Sequence, residues 1–525
     1  MKKYWKVLIA MLLSIAILST LLAGCNKSNQ QTSQTADNGK KITLKILKSK
    51  AAHEVPHEQM DVFKKLEKDT NIHVQWDNPP DENFNERYNL VMASGELPDV
   101  IIGMPSGDVL KYAQMGVIIP LSDQIDKNAP NLKSWMEKRP EIKKAITFTD
   151  EKVYYFPMFD ETPAGNSPLV VREDWLKKFN MKSPVTTEDW YNYWKAVKEK
   201  DPNENGKADE IPFSGNGIGV ARSLVTGWDV LDGFYSEPDD GEKIHYGPIE
   251  NKYKEAITWI AKLYKEGLID KEIATNDEKA FQGKVGQNLV GSFRGALGGT
   301  IMAFNATMPK QIPGFKVMGT APIKGPNGHQ VHASLDQSPR TVIGAVITKA
   351  DKNVDETVKW IDYFYSREGS VLINMGIEGK DYTNKNGTLT FTDYVLKNPD
   401  GLSPKQACGT FSIGQSIGPY VLIKEQPEAL DDAAVKETKK KFIIPYMDIS
   451  KKYVLPNLSF EAADDETRRA VMADVQTYVD ETIIKFILGQ EPIGNWDKYV
   501  EKVKGMKIDN VIKIYQKAFD SYNSR

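Results

Sequence analysis

Ile42-Thr43-Leu44-Lys45-Ile46-Leu47, Ile72-His73-Val74-Gln75-Trp76 and Asp99-Val100-Ile101-Ile102 decide the fold class. Each is a short run rich in β-branched and other apolar residues, the composition of a strand. The stretches between them carry helical spacing. Pro56, whose fixed φ suits a first helical turn, opens a segment with Met60, Phe63 and Leu66 on one face. Residues 83–93 bring Phe84, Tyr88, Val91 and Met92 together. Strands that alternate with helices need crossover connections, so the pattern predicts a parallel sheet with helices packed on it, an α/β fold.

The alternation continues outward. Leu169-Val170-Val171 reads as a strand, followed by helices near 187–199 and 251–266. Leu289-Val290 and Phe315-Lys316-Val317-Met318 are further strand candidates, and Thr341 to Ile347 is a strand running into a helix at 353–365. Near the C-terminus Val471, Val475, Tyr478, Val479, Thr482, Ile483 and Phe486 follow helical spacing, with Gly489 as the stop. A chain of 525 residues exceeds one small module and predicts two or more lobes. Its 40% hydrophobic and 26% charged content excludes a multispanning membrane protein and a largely disordered chain. A formal net charge of −3 gives no general pull toward nucleic acid. Ten Trp, 22 Tyr and 19 Phe leave aromatic surface for stacking on a ligand.

The N-terminus sets the compartment. Lys2-Lys3-Tyr4-Trp5-Lys6 is a positive head, and Val7 to Leu22 is an apolar run interrupted by Ser14, Ser19 and Thr20. An anchor helix needs about 20 clean apolar residues. This run instead ends in Leu22-Ala23-Gly24-Cys25, which resembles the lipobox of bacterial lipoproteins. The resemblance implies that residues 1–24 are a signal peptide and that the Cys25 thiol is lipidated. Acyl chains contribute about 0.8 kcal/mol per buried CH₂, so two or three hold a protein on a membrane. The polar stretch to residue 40 reads as a tether spanning about 45–50 Å when stretched. Besides Cys25 only Cys408 remains, which excludes a disulfide framework and a four-cysteine zinc site. Cys408 reads as a buried small apolar residue.

Several motifs fail on physical grounds. Gly414-Gln415-Ser416-Ile417-Gly418 matches the nucleophile elbow, but the last histidine is His332, upstream of Ser416, so the order Ser, Asp, His is not met. His53-Glu54-Val55-Pro56-His57 matches H-E-x-x-H, but a helix that begins at Pro56 leaves His53 on the preceding loop. No Gly-Lys is followed by Ser or Thr, and Gly215-Asn216-Gly217-Ile218-Gly219 lacks the full dinucleotide spacing. The loop 201–210 carries more. Asp201, Asn203, Asn205 and Asp209 alternate, with Gly206 at the sharp turn, an EF-hand-like calcium pattern. Pro212 stands where an EF-hand has its bidentate Glu.

Taken in order, several stretches resemble the family 1 extracellular solute-binding proteins of ABC importers, and within them the subfamily of alginate-binding proteins and LplA-type lipoproteins. They are Gly95-Glu96-Leu97-Pro98-Asp99-Val100, Gly116-Val117-Ile118-Ile119-Pro120-Leu121, Lys152-Val153-Tyr154-Tyr155-Phe156-Pro157 and Arg172-Glu173-Asp174-Trp175-Leu176. Asp209-Glu210-Ile211-Pro212, Phe281-Gln282-Gly283-Lys284, Gly376-Ile377-Glu378-Gly379-Lys380-Asp381-Tyr382 and Tyr478-Val479-Asp480-Glu481 with Lys485-Phe486-Ile487 complete the series. The resemblance implies a two-lobe periplasmic-binding-protein-like fold with ligand in the cleft between the lobes. It also implies structural Ca²⁺ held by Asp201, Asn203, Asn205, the Lys207 carbonyl, Asp209 and Glu210.

The expected protein is a monomeric lipid-anchored binding protein on the extracytoplasmic face of the cell membrane. It catalyses nothing, binds no nucleic acid and delivers an oligosaccharide to an ABC permease. A surface-tethered glycan-active enzyme and a peptide-binding lipoprotein on the same fold are the alternatives. The expected lobes are 41–162 with 323–375, and 163–322 with 376–525, with crossovers near 157–168 and 318–324. Sugars need aromatic faces and planar polar partners on loops at the lobe edges. The candidates are His53 and Glu54 after the first strand, Tyr155 at a crossover, Trp228, Phe293, Arg294, Arg340 before a strand, and Tyr420.

Overall fold

The computed structural model describes residues 41–161, 167–328, 330–332, 343–414 and 417–525. The chain starts with β1 (Ile42–Leu47), in which Leu44, Ile46 and Leu47 are fully buried. Helix Asp61–Thr70 turns Val62, Phe63 and Leu66 inward and ends on Asn71 in the left-handed conformation. Next come β2 (Ile72–Asp77), helix Phe84–Ser94 and β3 (Val100–Ile102). β1 pairs parallel with both neighbours, Ile42 opposite Ile72 and Ile46 opposite Val100. Four short helices precede β4 (Phe156–Pro157) and β5 (Phe159–Asp160).

The chain then builds a second body. It contains β6 (Leu169–Arg172), helix Thr187–Glu199, β7 (Ile211–Phe213), a hairpin of β8 (Phe234–Glu237) and β9 (Lys243–Tyr246), and helix Asn251–Lys265. β10 (Val290–Arg294) and β11 (Val317–Gly319) complete its sheet, in the order β11-β6-β10-β7. Thr186 caps helix Thr187–Glu199 by accepting from the Asp189 amide, while the Asp189 carboxylate accepts from the Thr186 amide. Trp190, Tyr193, Trp194 and Val197 on this helix are fully buried against the sheet. The indole N–H of Trp194 donates to Ser292 Oγ at 2.8 Å.

β12 (Ile343–Ile347) returns to the first sheet and runs antiparallel to both β3 and β4, giving the order β2-β1-β3-β12-β4. The expected parallel sheet is therefore limited to β2-β1-β3, because β12 enters from the opposite end. Gly344 sits at this junction, where an added Cβ would lie 2.2 Å from the Phe156 carbonyl oxygen. After helices Val354–Tyr363 and Arg367–Met375 come a hairpin of β13 (Tyr382–Lys385) and β14 (Thr388–Phe391), then β15 (Val421–Leu422), which pairs parallel with β5.

Two boundaries differ from the expected ones. Residues 376–423 do not join the second lobe: Leu389, Phe391, Val395, Phe411, Ile413 and Tyr420 pack into the core of the first. The return crossing does not fall at 318–324 either. Ile323 and Val331 still pack in the second core, and the His332 amide donates to Ser450 Oγ at 2.9 Å. The chain thus leaves the second lobe after His332. A third crossing follows Ile423, which packs in the first core, and ends by Val435, which packs in the second lobe. Helices Ala462–Leu488, Trp496–Gly505 and Ile508–Ser524 close the second lobe, with Val475, Val479, Ile483 and Phe486 facing its core. Gly489 ends the long helix at φ 71°, as its position predicted. Trp194→Ala is expected to destabilise the second lobe by about 3–5 kcal/mol. In urea its tryptophan-fluorescence transition should shift to lower denaturant, and an unchanged transition would contradict this packing.

Candidate functional site

A cleft of about 2200 Å³ is lined by both lobes. From the first lobe it takes the loop after β1, with His53 and Glu54, together with Phe84 and Ile417. From the second it takes the turn Gly298–Thr300, Phe304, Lys310 and a helical wall over 436–451. A side pocket of about 370 Å³ shares Glu278 and Thr300 with the cleft and reaches Arg294.

The floor beneath β1 is a buried polar cluster. Asn78 Oδ1 accepts from the His57 amide at 3.1 Å, and Asn78 Nδ2 donates to the Lys48 carbonyl and to His57 Nδ1, both at 2.9 Å. His57 Nδ1 is therefore an acceptor, and its ring proton sits on Nε2, 3.6 Å from Glu54 Oε2. Glu54 Oε2 also accepts from the Ala51 amide at 3.0 Å. Burial alone would push the Glu54 carboxyl up. The His57 N–H, the Lys48 charge and the Ala51 N–H outweigh it and bring the carboxyl down to about 2. Burial also holds Lys48 and His57 below their usual ranges. The result is an ionised carboxylate, fixed in direction, at the cleft surface.

Of the expected contacts, His53 and Glu54 line the cleft and Arg294 lines the side pocket. Arg294 Nε donates to the Ser167 carbonyl at 2.9 Å, and burial brings its guanidinium down to about 10. The four aromatic candidates are core residues instead. Tyr155 is buried against Phe148. Trp228 packs on Trp259, and Phe293 on Phe281 and Phe304. Tyr420 is fully buried, its hydroxyl donating to the Ile413 carbonyl at 3.2 Å. Arg340, Cys25 and Ser416 lie outside the described residues. Gly414 of the Ser416 motif has a packing reason, since an added Cβ would stand 2.2 Å from the Ile373 carbonyl oxygen. His53 and His57 do not share a helix face: His57 opens the short turn His57–Gln59, and its ring packs edge-on against Trp76. Cys408 is fully buried and its thiol is pushed up to about 12 by burial. The sequence reading missed Phe84 and the lysines of the 436–451 wall.

The loop 201–210 folds as a tight oxygen-lined turn. Asp201 accepts from the Asn205 amide at 3.1 Å and the Gly206 amide at 2.9 Å, and Asn205 Oδ1 accepts from the Lys207 amide at 2.8 Å. Asp201 (φ 43°), Glu204 (φ 61°) and Gly206 (φ 74°) take left-handed conformations. The Glu210 carboxylate points into the loop, and its Oε2 is buried without a hydrogen-bond partner. Burial, with the Asp201 and Asp209 charges, pushes its carboxyl up. Among the described residues no three His, Cys, Asp or Glu side chains are grouped to hold a metal by themselves. The loop's donor set would have to include its Asn oxygens and the Lys207 carbonyl. An all-oxygen set with an unpartnered buried carboxylate oxygen fits a hard cation such as Ca²⁺.

The sequence profile of bacterial extracellular solute-binding proteins matches residues 56–371. The chain belongs to that family. It is 29% identical over 534 residues to the fructooligosaccharide ABC transporter substrate-binding protein FusA of Streptococcus pneumoniae serotype 4, covering 96% of each chain. It is 28% identical to lipoprotein LipO of Bacillus subtilis strain 168, over 80% of this chain and 81% of that one. Among solved structures it superposes on the alginate-binding protein AlgQ2 without calcium ion with a TM-score of 0.74 and 29% identity, covering 92% of this chain and 98% of that one. A FusA EF-hand mutant in complex with fructo-nystose gives 0.72 at 26% identity, covering 92% of this chain and 99% of that one. The two-lobe solute-binding fold is thus established.

The cleft floor makes a pH prediction. The Glu54 carboxyl is lower in the folded than in the unfolded chain, so its stabilisation is present above about pH 4.5 and is lost as the pH falls toward about 2. His57, held neutral, acts in the same direction from its usual range near 6.5 downward. Glu54→Gln is expected to remove the Glu54 part, on the order of 3 kcal/mol. Urea unfolding at neutral and acid pH should show a smaller acid loss in the variant, and equal losses would refute the assignment.

Proposed function

We propose that this chain is the substrate-binding lipoprotein of an ABC importer. It holds an oligosaccharide between its lobes and presents it to a membrane permease. The observation that carries this reading is the cleft itself. Its roughly 2200 Å³ exceeds the 300–1,000 Å³ of ordinary small-molecule pockets, and its walls mix fixed polar groups with apolar side chains. FusA and AlgQ2, named for a fructooligosaccharide and alginate, support a carbohydrate over a peptide. Ligand touching both lobes binds the closed arrangement better than the open one, and that difference is what drives closure. Lipidation at Cys25 would keep the protein at the outer face of the membrane, and among the described residues no helix is long and apolar enough to cross a membrane.

Calorimetry with a panel of oligosaccharides tests the function. One class should bind and be recovered unchanged; turnover would favour a glycan-active enzyme. Phe84→Ala is expected to weaken binding of that sugar about tenfold, by removing a ring that stacks on the sugar's C–H face. Trp228→Ala should lower stability while leaving affinity in place. The opposite pattern would overturn the assignment of the cleft surface.

The loop 201–210 is read as a structural Ca²⁺ site held by Asp201, Asn203, Asn205, the Lys207 carbonyl, Asp209 and Glu210. The AlgQ2 structure described as without calcium and the FusA EF-hand mutant support it. An ion bound only to the folded state stabilises by about 2.7 kcal/mol at a hundredfold excess over Kd. Thermal melting should fall in chelator and recover with Ca²⁺ but poorly with Mg²⁺, and Asp201→Ala should abolish the difference. Equal melting of metal-free and calcium-loaded protein would refute the site.

A further inference from the structure

Asn78 stands behind the cleft floor with its whole amide committed. Oδ1 accepts from the His57 amide at 3.1 Å, and the two N–H bonds of Nδ2 go to the Lys48 carbonyl and to His57 Nδ1, both at 2.9 Å. The two backbone partners fix which way round the side chain sits. A main-chain N–H needs the oxygen and a main-chain carbonyl needs the nitrogen, so the amide cannot turn over without losing both. His57 Nδ1 is left to accept, and the single proton of the neutral ring is placed on Nε2.

His57 Nε2 is buried with no hydrogen-bond partner at ordinary range, and Glu54 Oε2 lies 3.6 Å from it. With the proton on Nε2, the carboxylate faces the positive end of the ring; with the proton on Nδ1 it would face a lone pair and be repelled. Glu54 Oε2 also takes the Ala51 amide, whereas Oε1 has no hydrogen-bond partner among the described residues and the side chain lines the cleft. Gly409 closes one side, where an added Cβ would stand 3.0 Å from Glu54 Cγ. The other charges that act on the cluster are those of Lys48, Glu58 and Asp81. Lys50 Nζ donates to the Glu54 carbonyl at 3.4 Å, and the rings of Phe63 and Trp76 pack against His57.

We infer that Asn78 is a positioning residue for ligand binding. By fixing the Nε2–H tautomer of His57 it holds the Glu54 carboxylate in one direction, with Oε1 presented to the cleft as an acceptor for ligand hydroxyl groups. This rests on the oligosaccharide reading above and adds how one contact of that site is set. A carboxylate held in place accepts from a hydroxyl without first having to be ordered, so less of the interaction is lost to immobilising the side chain. An amide carries no titrating proton. A tautomer locked by Asn78 therefore keeps the Glu54 contact the same from mildly acid to neutral pH, and a carboxylate at position 78 would not.

The test combines nitrogen-15 NMR of the histidine rings in the mature protein with calorimetry on three probes: kestose, an alginate oligomer and an oligogalacturonide. In the parent, His57 should be the Nε2–H tautomer from about pH 5.5 to 8, and saturation with the tightest-binding probe should shift its Nε2 signal. The parent Kd for that probe should be constant over the same range. Asn78→Asp keeps the shape but puts an oxygen opposite Nδ1, which must then carry a proton. At the acid end the imidazolium also keeps the proton facing Glu54, and affinity should match the parent. As the pH rises that proton, at the longer distance, leaves first, and affinity should fall about tenfold. Adding His57→Gln, whose amide does not titrate, should remove the slope. An Nδ1–H or mixed tautomer in the parent, no shift on saturation, or a pH-independent loss in Asn78→Asp would overturn the positioning role and leave the oligosaccharide function standing. Binding of none of the three probes would overturn the oligosaccharide reading and this inference with it.

Discussion

The cleft depends on one short strand pair. β5 and β15 are two residues long and join two of the three lobe crossings side by side, with Val421 opposite Phe159 and Leu422 opposite Asp160. Few hydrogen bonds hold them: the Phe159 amide donates to the Tyr420 carbonyl at 3.3 Å, and the Glu161 amide to the Leu422 carbonyl at 2.9 Å. Side chains of the first lobe set its position instead. Asn374 Nδ2 donates to the Val421 carbonyl at 2.7 Å, and Gln426 Nε2 to the Asn374 carbonyl at 2.6 Å. Tyr365 donates to the Pro157 carbonyl and Arg139 to that of Asp160. A minimal strand pair clamped by buried polar side chains fixes these crossings in place, and it sets Met158, Glu161 and Leu422 along the cleft.

The parts of the fold fixed by local periodicity were legible from the sequence. β1, β2, β3 and β6, the helix Thr187–Glu199 and the Gly489 stop all lie where alternation, helical spacing and cap chemistry put them. What stayed hidden was long-range. Nothing local in 376–423 says that Phe411 and Tyr420 will pack beside helix Arg367–Met375 and not in the second lobe. The aromatic candidates failed for a related reason. Trp228 and Phe293 were expected on loops at the lobe edges, but the nearby Gly227 and Gly291 serve close packing. An added Cβ would come 3.1 Å from Ile323 and 2.9 Å from Val197 respectively. A bulky aromatic beside a glycine is as compatible with a tightly packed core as with a binding loop.

The lysines of the cleft wall carried no signal in the sequence analysis. In the run Lys439-Lys440-Lys441, Lys439 pairs with Asp431 and Lys441 with Glu437. Folding places Lys436, Lys439 and Lys440 on the cleft wall and leaves Lys441 off it. The chain's net charge of −3 therefore says little about its ligand. Charge recognised by a cleft is local, and screening over roughly 8–10 Å isolates it from the surface average.

The loop 201–210 acts elsewhere in the second lobe. It follows helix Thr187–Glu199 and is tied to its neighbours by direct bonds: Lys178 Nζ donates to the Pro202 carbonyl at 2.7 Å, and Asn203 Nδ2 to the Asn288 carbonyl at 3.4 Å. The Asn288 side chain accepts in turn from the buried Arg172 at 2.7 Å, whose guanidinium lies over the Trp175 and Phe315 rings. The loop thus braces the start of β10, at whose far end Arg294 lines the side pocket. No residue of this loop lines the cleft or its side pocket. A cation held there would therefore act on binding through the register of β10 and its partners and not through contact with the ligand.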